Sequence, residues 1–483
     1  MPTMPLQVNS PTSPNVVIYP LGLLDHFWGA NMTKGWIVEG ILDIEKIRVA
    51  LDKVVAKWPL LAGRVRPSPN STKGQARFEI HIPLQRPPSN QPPYNLTSAD
   101  SPLPISHFVE IPIPAFSDCL PSRLFVPEQR MALGGLTGYA KEDTPLTHWH
   151  IAYFRHPGEE YSCLGVNYSH SIFDGIGFAM VMHALEAELK GESWEVPPMP
   201  EPGVNQNPFT THMEAELAKD VRHKRDPFLQ ISTGGHFTMA SYTLRSWWHN
   251  TLYGIRHCNL VIPYAVHTGL AKEARKSLEE AGVVDVRPTS GDVLGAWLMQ
   301  TMYSDGTSPN RTVTIHNVAS LRGEWGGQFN LYPHNCWAIV PAPIFTVCEV
   351  TVRPLHDIAY QLAKARAVPL APSGMGFYEK FKEVEKRGGS WNVEHEQADE
   401  ALHISNVSVA RVVDLDWRGA GGGRVLCQYK FFPASSSRLR STNTVGINGR
   451  LDNGDLVVNC LVNARRARRL EDELVKVIAR FST

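Results

Sequence analysis

The sequence predicts a mixed fold, α+β or α/β in two layers, built as two halves. Three observations predict it. The chain has 483 residues, more than one core usually organises, so two domains are expected. Strand-like and helix-like runs are interleaved in both halves, with hairpin signals in each, which speaks against a plain βαβ array. Between the halves lies VPPMPEPGVNQNP, residues 196–208, with five prolines and no periodicity. The expected division is 1–200, a crossover at 201–250, and 251–483.

The elements follow in order. The first dozen residues, rich in Pro, Ser and Thr, read as a loose arm without the pattern of a signal peptide. Asp43 reads as the N-cap of a helix whose Ile44, Ile47, Leu51, Val54, Val55 and Trp58 share one face, closed by Pro59. LLAGRV and ARFEIHI read as strands on either side of the turn-rich PSPNSTKG. HWHIAYF (148–154) and YSCLGVNYSH (161–170) read as a hairpin, and FAMVMHALEAELKG as a helix with Phe178, Val181, Met182, Leu185 and Leu189 inward. In the second half CNLVIP and TVTIHNVA read as strands. LAKEARKSLEEAG and SGDVLGAWLMQTMY read as helices. Asn453-Gly454 between two alternating runs signals a hairpin, and ARRARRLEDELVKVIARF a closing helix.

Composition narrows the function classes. Formal net charge is zero, so nothing draws the chain at long range to nucleic acid or an anionic membrane. No apolar run reaches the ~18 residues of a spanning helix. The seven cysteines lack CxxC spacing and the nearest two, Cys336 and Cys348, are twelve apart. They read as reduced thiols of a cytoplasmic protein, not as a disulfide framework or a thiolate metal site.

The chemistry gathers in NYSHSIFDGIGFAM, residues 167–180, which runs from strand through loop to helix. His170 and Asp174 are four apart, with Gly175 and Gly177 behind them. As a dinucleotide-binding turn the stretch lacks the third glycine of GxGxxG, where Met180 stands. GAGGGR, residues 419–424, lacks the Lys-Ser/Thr of a phosphate loop and reads as a connection. A zinc site from His148, His150 and His170 has no HExxH or comparable set around it, so no metal is expected. A general base fits better. A neutral imidazole accepts a proton from a hydroxyl at cellular pH, and glycines let the chain turn sharply beside it. The rival from spacing alone is a structural histidine.

His170-Ser171-Ile172-Phe173-Asp174-Gly175 resembles the HxxxDG signature of the BAHD acyltransferases, coenzyme A-dependent enzymes of plant and fungal secondary metabolism. Other elements fall in family order. Leu24-Asp25 resembles the N-terminal LD element, and WPLLAGRV (58–65) the P-LAGR element. NVASLRGEWGGQFNLYPHNC (317–336) resembles the DxRxR…P…GN segment through Arg322 and Asn335. VDLDWRG (413–419) resembles the DFGWG region through Asp414 and Trp417, with Leu415, Asp416 and Arg418 as departures. HISNVSVA stands where the family often has a Thr-Ser-Trp that helps hold the reacting carbonyl, which makes Ser405 and Asn406 candidates. Condensation domains of peptide synthetases share the fold with HHxxxDG, but the first histidine position here is Ser169.

The resemblance implies two chloramphenicol-acetyltransferase-like domains with an interdomain channel and His170 midway along it. It implies transfer of an acyl group, acetyl by default, from acyl-CoA to an alcohol of a terpenoid, polyketide or alkaloid, by a monomer. His170 would be the base of a direct transfer. Asp174 would turn away from the pocket and pair with an arginine, and Asp414 would pair with Arg322 as a structural support. Ser290 and Asp292 resemble an S-x-x-D helix start on the coenzyme A side and read on spacing alone as helix caps. The basic run Arg465, Arg466, Arg468 and Arg469 either meets coenzyme A phosphates or is a solvated helix face. The competing functions are a catalytically decayed binding member and a hydrolytic or condensation-type enzyme of the same fold.

Overall fold

Helix Ile44–Lys57 shows how local sequence sets the architecture. Asp43 caps it, Oδ1 accepting the backbone N–H of Glu45 at 2.9 Å and of Lys46 at 3.2 Å, and Ile47, Leu51 and Val54 are buried on one side. The structure, a computed structural model, describes residues 16–26, 31–69, 71, 77–85, 90–131, 133–201, 203–219, 240, 244, 247–248, 250–340, 342–386, 398–431 and 442–481. The N-terminal arm and most of the stretch from 220 to 249 lie outside the described residues.

The strands of the first half are β1 (Val16–Pro20), β2 (Asn31–Glu39), β3 (Arg64–Pro67), β4 (Phe78–Pro83), β5 (Asn95–Asp100), β6 (Phe116–Asp118), β7 (Thr147–His156) and β8 (Glu159–Ser169). Those of the second are β9 (Ile255–Ile262), β10 (Thr312–Ser320), β11 (Trp337–Val340), β12 (Phe345–Thr346), β13 (Glu400–Asn406), β14 (Val425–Phe431), β15 (Thr444–Arg450) and β16 (Leu456–Asn463). A five-stranded sheet runs β14-β2-β8-β7-β5, and an eight-stranded sheet runs β11-β10-β13-β15-β16-β9-β6 with β12 beside β10. A small sheet, β1-β4-β3, stands apart. Both large sheets mix parallel and antiparallel pairs: β7 pairs β8 antiparallel and β5 parallel, while β13 lies parallel to both β10 and β15.

Each expected hairpin forms, and Gly454 takes the positive φ of 86° that the second turn needs. One run differs. LLAG is not strand: Pro59–Ala62 forms a single 3-10 turn, with proline preset at its first position, and β3 begins only at Arg64.

One core packs Trp36, Trp58, Trp149 and Phe178 with Trp337, Phe377 and Trp417 from beyond residue 320. Phe209 and Met213, on helix Pro208–Lys219, join it from within the crossover segment. A second core surrounds helix Ser290–Tyr303 and the eight-stranded sheet. A third joins the sheets through Ile37, Phe125, Cys163, Tyr429 and Val457. Among the described residues no helix is long and apolar enough to cross a membrane.

Candidate active site

β8 ends at Ser169, and the chain turns at once. The Ile172 N–H donates to the Ser169 carbonyl at 2.9 Å, and helix Gly175–Lys190 starts with Asp174 as its N-cap. Asp174 Oδ1 accepts the N–H groups of Ile176 (3.1 Å) and Gly177 (2.8 Å), which suits a carboxylate at the positive end of a helix. The same carboxylate receives a two-pronged pair from Arg322, at 2.8 and 2.9 Å, and the Cys336 N–H at 3.1 Å. Arg322 also donates to the carbonyls of Tyr332 and His334. Arg322 and Asp174 are both buried.

Here the structure corrects one expected pairing. Arg322 holds Asp174, not Asp414. Asp414 pairs with the exposed Arg411 three residues away, at 2.7 Å. The reason is depth: the Arg322 guanidinium is sunk among buried carbonyls, where only a buried carboxylate can meet it. Asp416 and Arg418, the departures from DFGWG, pair with each other, while Trp417 is fully buried beside Trp36.

Glycine at 175 and 177 serves close approach more than a turn. A Cβ on Gly177 would lie 1.8 Å from the Pro333 carbonyl oxygen, and one on Gly175 would lie 2.6 Å from Val407 Cγ1. Both neighbours come from the second half of the chain, so the helix start is pressed against it.

His170, in the turn, is half-buried. Its carbonyl accepts the Asn335 side-chain N–H at 3.0 Å. Asn335 in turn donates from its backbone (2.9 Å) and side chain (3.0 Å) to Asp25 Oδ1, whose other oxygen accepts the Gly22 N–H at 2.6 Å. Leu24-Asp25, Asn335 and His170, far apart in sequence, thus form one connected unit. Burial raises the Asp25 carboxyl to about 7 against the pull of those hydrogen bonds. Burial first, and then the charges of Lys430 and Lys34, push the His170 imidazole down to about 4, so at neutral pH it is unprotonated.

The two lysines escaped the sequence reading. Each is the one lysine of a strand run, NMTKGWIVE and VLCQYKF, that carries no other basic residue, and nothing local marks either as buried. Both are buried. Lys430 Nζ donates to Ser405 Oγ at 3.2 Å. Asn406, next on β13, faces the other way, as strand geometry requires. Its Oδ1 caps Ser408 through the backbone N–H (3.1 Å) and the hydroxyl (2.7 Å). Asn406 lines a cavity of about 100 Å³ with Thr289, Asp292, Asn317 and Arg366 around an apolar wall.

Thr289, not Ser290, caps helix Ser290–Tyr303, and Asp292 completes the capping box while pairing with Arg366 at 3.0 Å. The basic run divides: Arg466 is buried on Asp305 and Glu400, whereas Arg465, Arg468 and Arg469 are exposed. His148 and His150 hydrogen-bond to Asn95 and Thr97 of β5, both at 2.9 Å.

No family model matches the chain. It is similar to acetyltransferase adrJ of Penicillium roqueforti, 23% identical over 436 residues, spanning 85% of this chain and 83% of that protein. It is also similar to O-acyltransferase pboC of Aspergillus ustus, 24% identical over 342 residues, spanning 68% of each. Among solved structures it shares the fold of F. sporotrichioides TRI101, seen there with coenzyme A and T-2, at a TM-score of 0.67 and 13% identity over 95% of this chain and 98% of that one. The motifs stand in order, the fold matches and the sequence relatives are acyltransferases: the chain is an acyl-transferring enzyme that is similar to the BAHD acyltransferases.

Proposed function

We propose that the chain transfers an acyl group, acetyl by first choice, from acyl-CoA to a hydroxyl of a small secondary metabolite such as a terpenoid, polyketide or alkaloid, with His170 as general base. One observation carries the reading: a half-buried, unprotonated imidazole stands at a strand end whose loop is locked by the Arg322–Asp174 pair. The relatives' names as acetyl- and O-acyltransferases and the coenzyme A bound to TRI101 support the reaction class and the donor.

The transfer is direct. The imidazole takes the proton of the acceptor hydroxyl as its oxygen attacks the thioester carbonyl carbon. The carbonyl oxygen gains charge and is met by the Ser405 hydroxyl. The C–S bond then breaks, and the departing thiolate takes the proton from the imidazolium. Asp174 supports the loop and touches neither substrate. The wider reading keeps residues 1–200 and 251–483 as two domains with the substrates meeting between them, acting as a monomer in the cytoplasm.

The test is release of coenzyme A, followed with a thiol reagent, from acetyl-CoA offered with a panel of alcohols, with products weighed by mass spectrometry. Release that needs both an alcohol and His170 supports the reading. Release without alcohol points to a hydrolase, no release points to a binding protein, and full activity in His170→Ala removes the base; each of these overturns it.

A further inference from the structure

The sheet whose strand β8 leads into the His170 turn carries two lysines side by side. Lys34 of β2 and Lys430 of β14 are directly paired across strands, and Lys34 is paired on its other side with Val166 of β8. Cross-strand partners share a face, so both ammonium groups rise from the same side of the sheet. Both side chains are buried, at 1% and 5% exposure. Asp174, the carboxylate that acts on Lys34, is engaged by Arg322. Among the described residues Lys34 Nζ has no hydrogen-bond partner, and it lies 5.0 Å from the centre of the Phe178 ring.

Burying a cation is costly, and burial lowers Lys34 to about 7, with Lys430 adding to the effect, and Lys430 to about 8. One of the two has a specific contact: Lys430 Nζ donates to Ser405 Oγ across the gap between the five-stranded and eight-stranded sheets. The position is prepared on both sides. The Lys430 backbone N–H is held by Asn459 Oδ1 at 2.8 Å, and a Cβ at Gly446 would come within 3.2 Å of Lys430 Cδ. A hydroxyl oxygen that accepts from an ammonium keeps its own hydrogen free to donate elsewhere.

We propose that Lys430 is a positioning residue for acyl transfer: by donating to Ser405 Oγ it turns the Ser405 hydroxyl hydrogen toward the thioester carbonyl and sets a positive charge behind the oxygen that becomes negative. Neither lysine gives up a proton in the step. The inference rests on the function proposed above and deepens it at the donor side.

The experiment compares Lys430→Met, Ser405→Ala and the double variant in coenzyme A release, with folding checked by circular dichroism. Lys430→Met is expected to lower kcat about 10- to 100-fold while KM for acyl-CoA moves less than about twofold, because the contact matters only as charge develops. The double variant is expected to be no slower than Ser405→Ala alone, since one residue acts through the other. Lys430→Gln, which keeps a donor without the charge, should fall between Lys430→Met and wild type, and it decides by the same criteria if Lys430→Met does not fold. Losses that multiply in the double variant, or a Lys430 variant with wild-type kcat, overturn the inference while leaving a His170-dependent wild-type reaction intact. A wild-type chain without His170-dependent release overturns the proposed function itself.

Discussion

Arg322 and Asp174 form a buried, two-pronged pair, 2.8 and 2.9 Å, that ties the loop after β8 to the second half of the chain. Removing one partner leaves the other charged and buried. Arg322→Met should cost about 3–5 kcal/mol in urea unfolding, and replacing both, as Arg322→Met with Asp174→Leu, should recover part of that loss. Recovery will be incomplete because Asp174 also caps helix Gly175–Lys190. A double variant no better than Arg322→Met would show that the pair is not the energetic unit.

His170→Ala should separate chemistry from stability. Coenzyme A release is expected to fall about 10²- to 10⁴-fold, with the urea midpoint unchanged. Asp174→Asn should do the reverse in emphasis, lowering the midpoint and reducing kcat through a loosened loop. If His170→Ala unfolds as readily as Asp174→Asn, the ring is a structural part of the turn.

The pH profile carries its own sign. A base works in its unprotonated form, and burial, followed by Lys430 and Lys34, lowers the His170 pKa to about 4. Activity should therefore persist from neutral pH down to about 5 and fall as pH drops through about 4, not through the ~6.5 of a free imidazole. Lys34→Met removes one of the repelling charges and should move that acidic limb upward. A wild-type limb near 6.5 would mean that the ring is solvated when the enzyme works.

Gly177→Ala should be poorly tolerated although alanine favours helices. Its Cβ would meet the Pro333 carbonyl oxygen at 1.8 Å, a backbone atom that cannot swing aside. A loss of about 1–3 kcal/mol in unfolding free energy is expected, with reduced coenzyme A release as the helix start is pushed off the second half. A stable Gly177→Ala would show that this contact relaxes easily.

The elements legible in the sequence were those with local causes. Asp43 and the apolar face behind it announced helix Ile44–Lys57, and Asn453-Gly454 announced the β15–β16 hairpin. His170, Asp174 and Arg322 were legible because their residue types recur in a fixed motif order. What was not legible depended on pairing over long distances. Nothing local says that Arg322 meets Asp174, 148 residues away, instead of Asp414. Thr289 and Ser290 are both capping residue types, one position apart, and only the backbone path decides that Thr289 takes the role. Lys34 and Lys430 are separated by most of the chain, and their adjacency appears only when β14 takes its place beside β2.

That placement also bears on how the molecule comes into being. β2 waits for its outer neighbour until residues 425–431 have been made, so during synthesis its edge is an open template for any extended peptide nearby. A nascent chain stopped short of this strand would expose that edge and lack Lys430 altogether. Closure of this side of the sheet is therefore a late event, reached only when the chain has been made through β14.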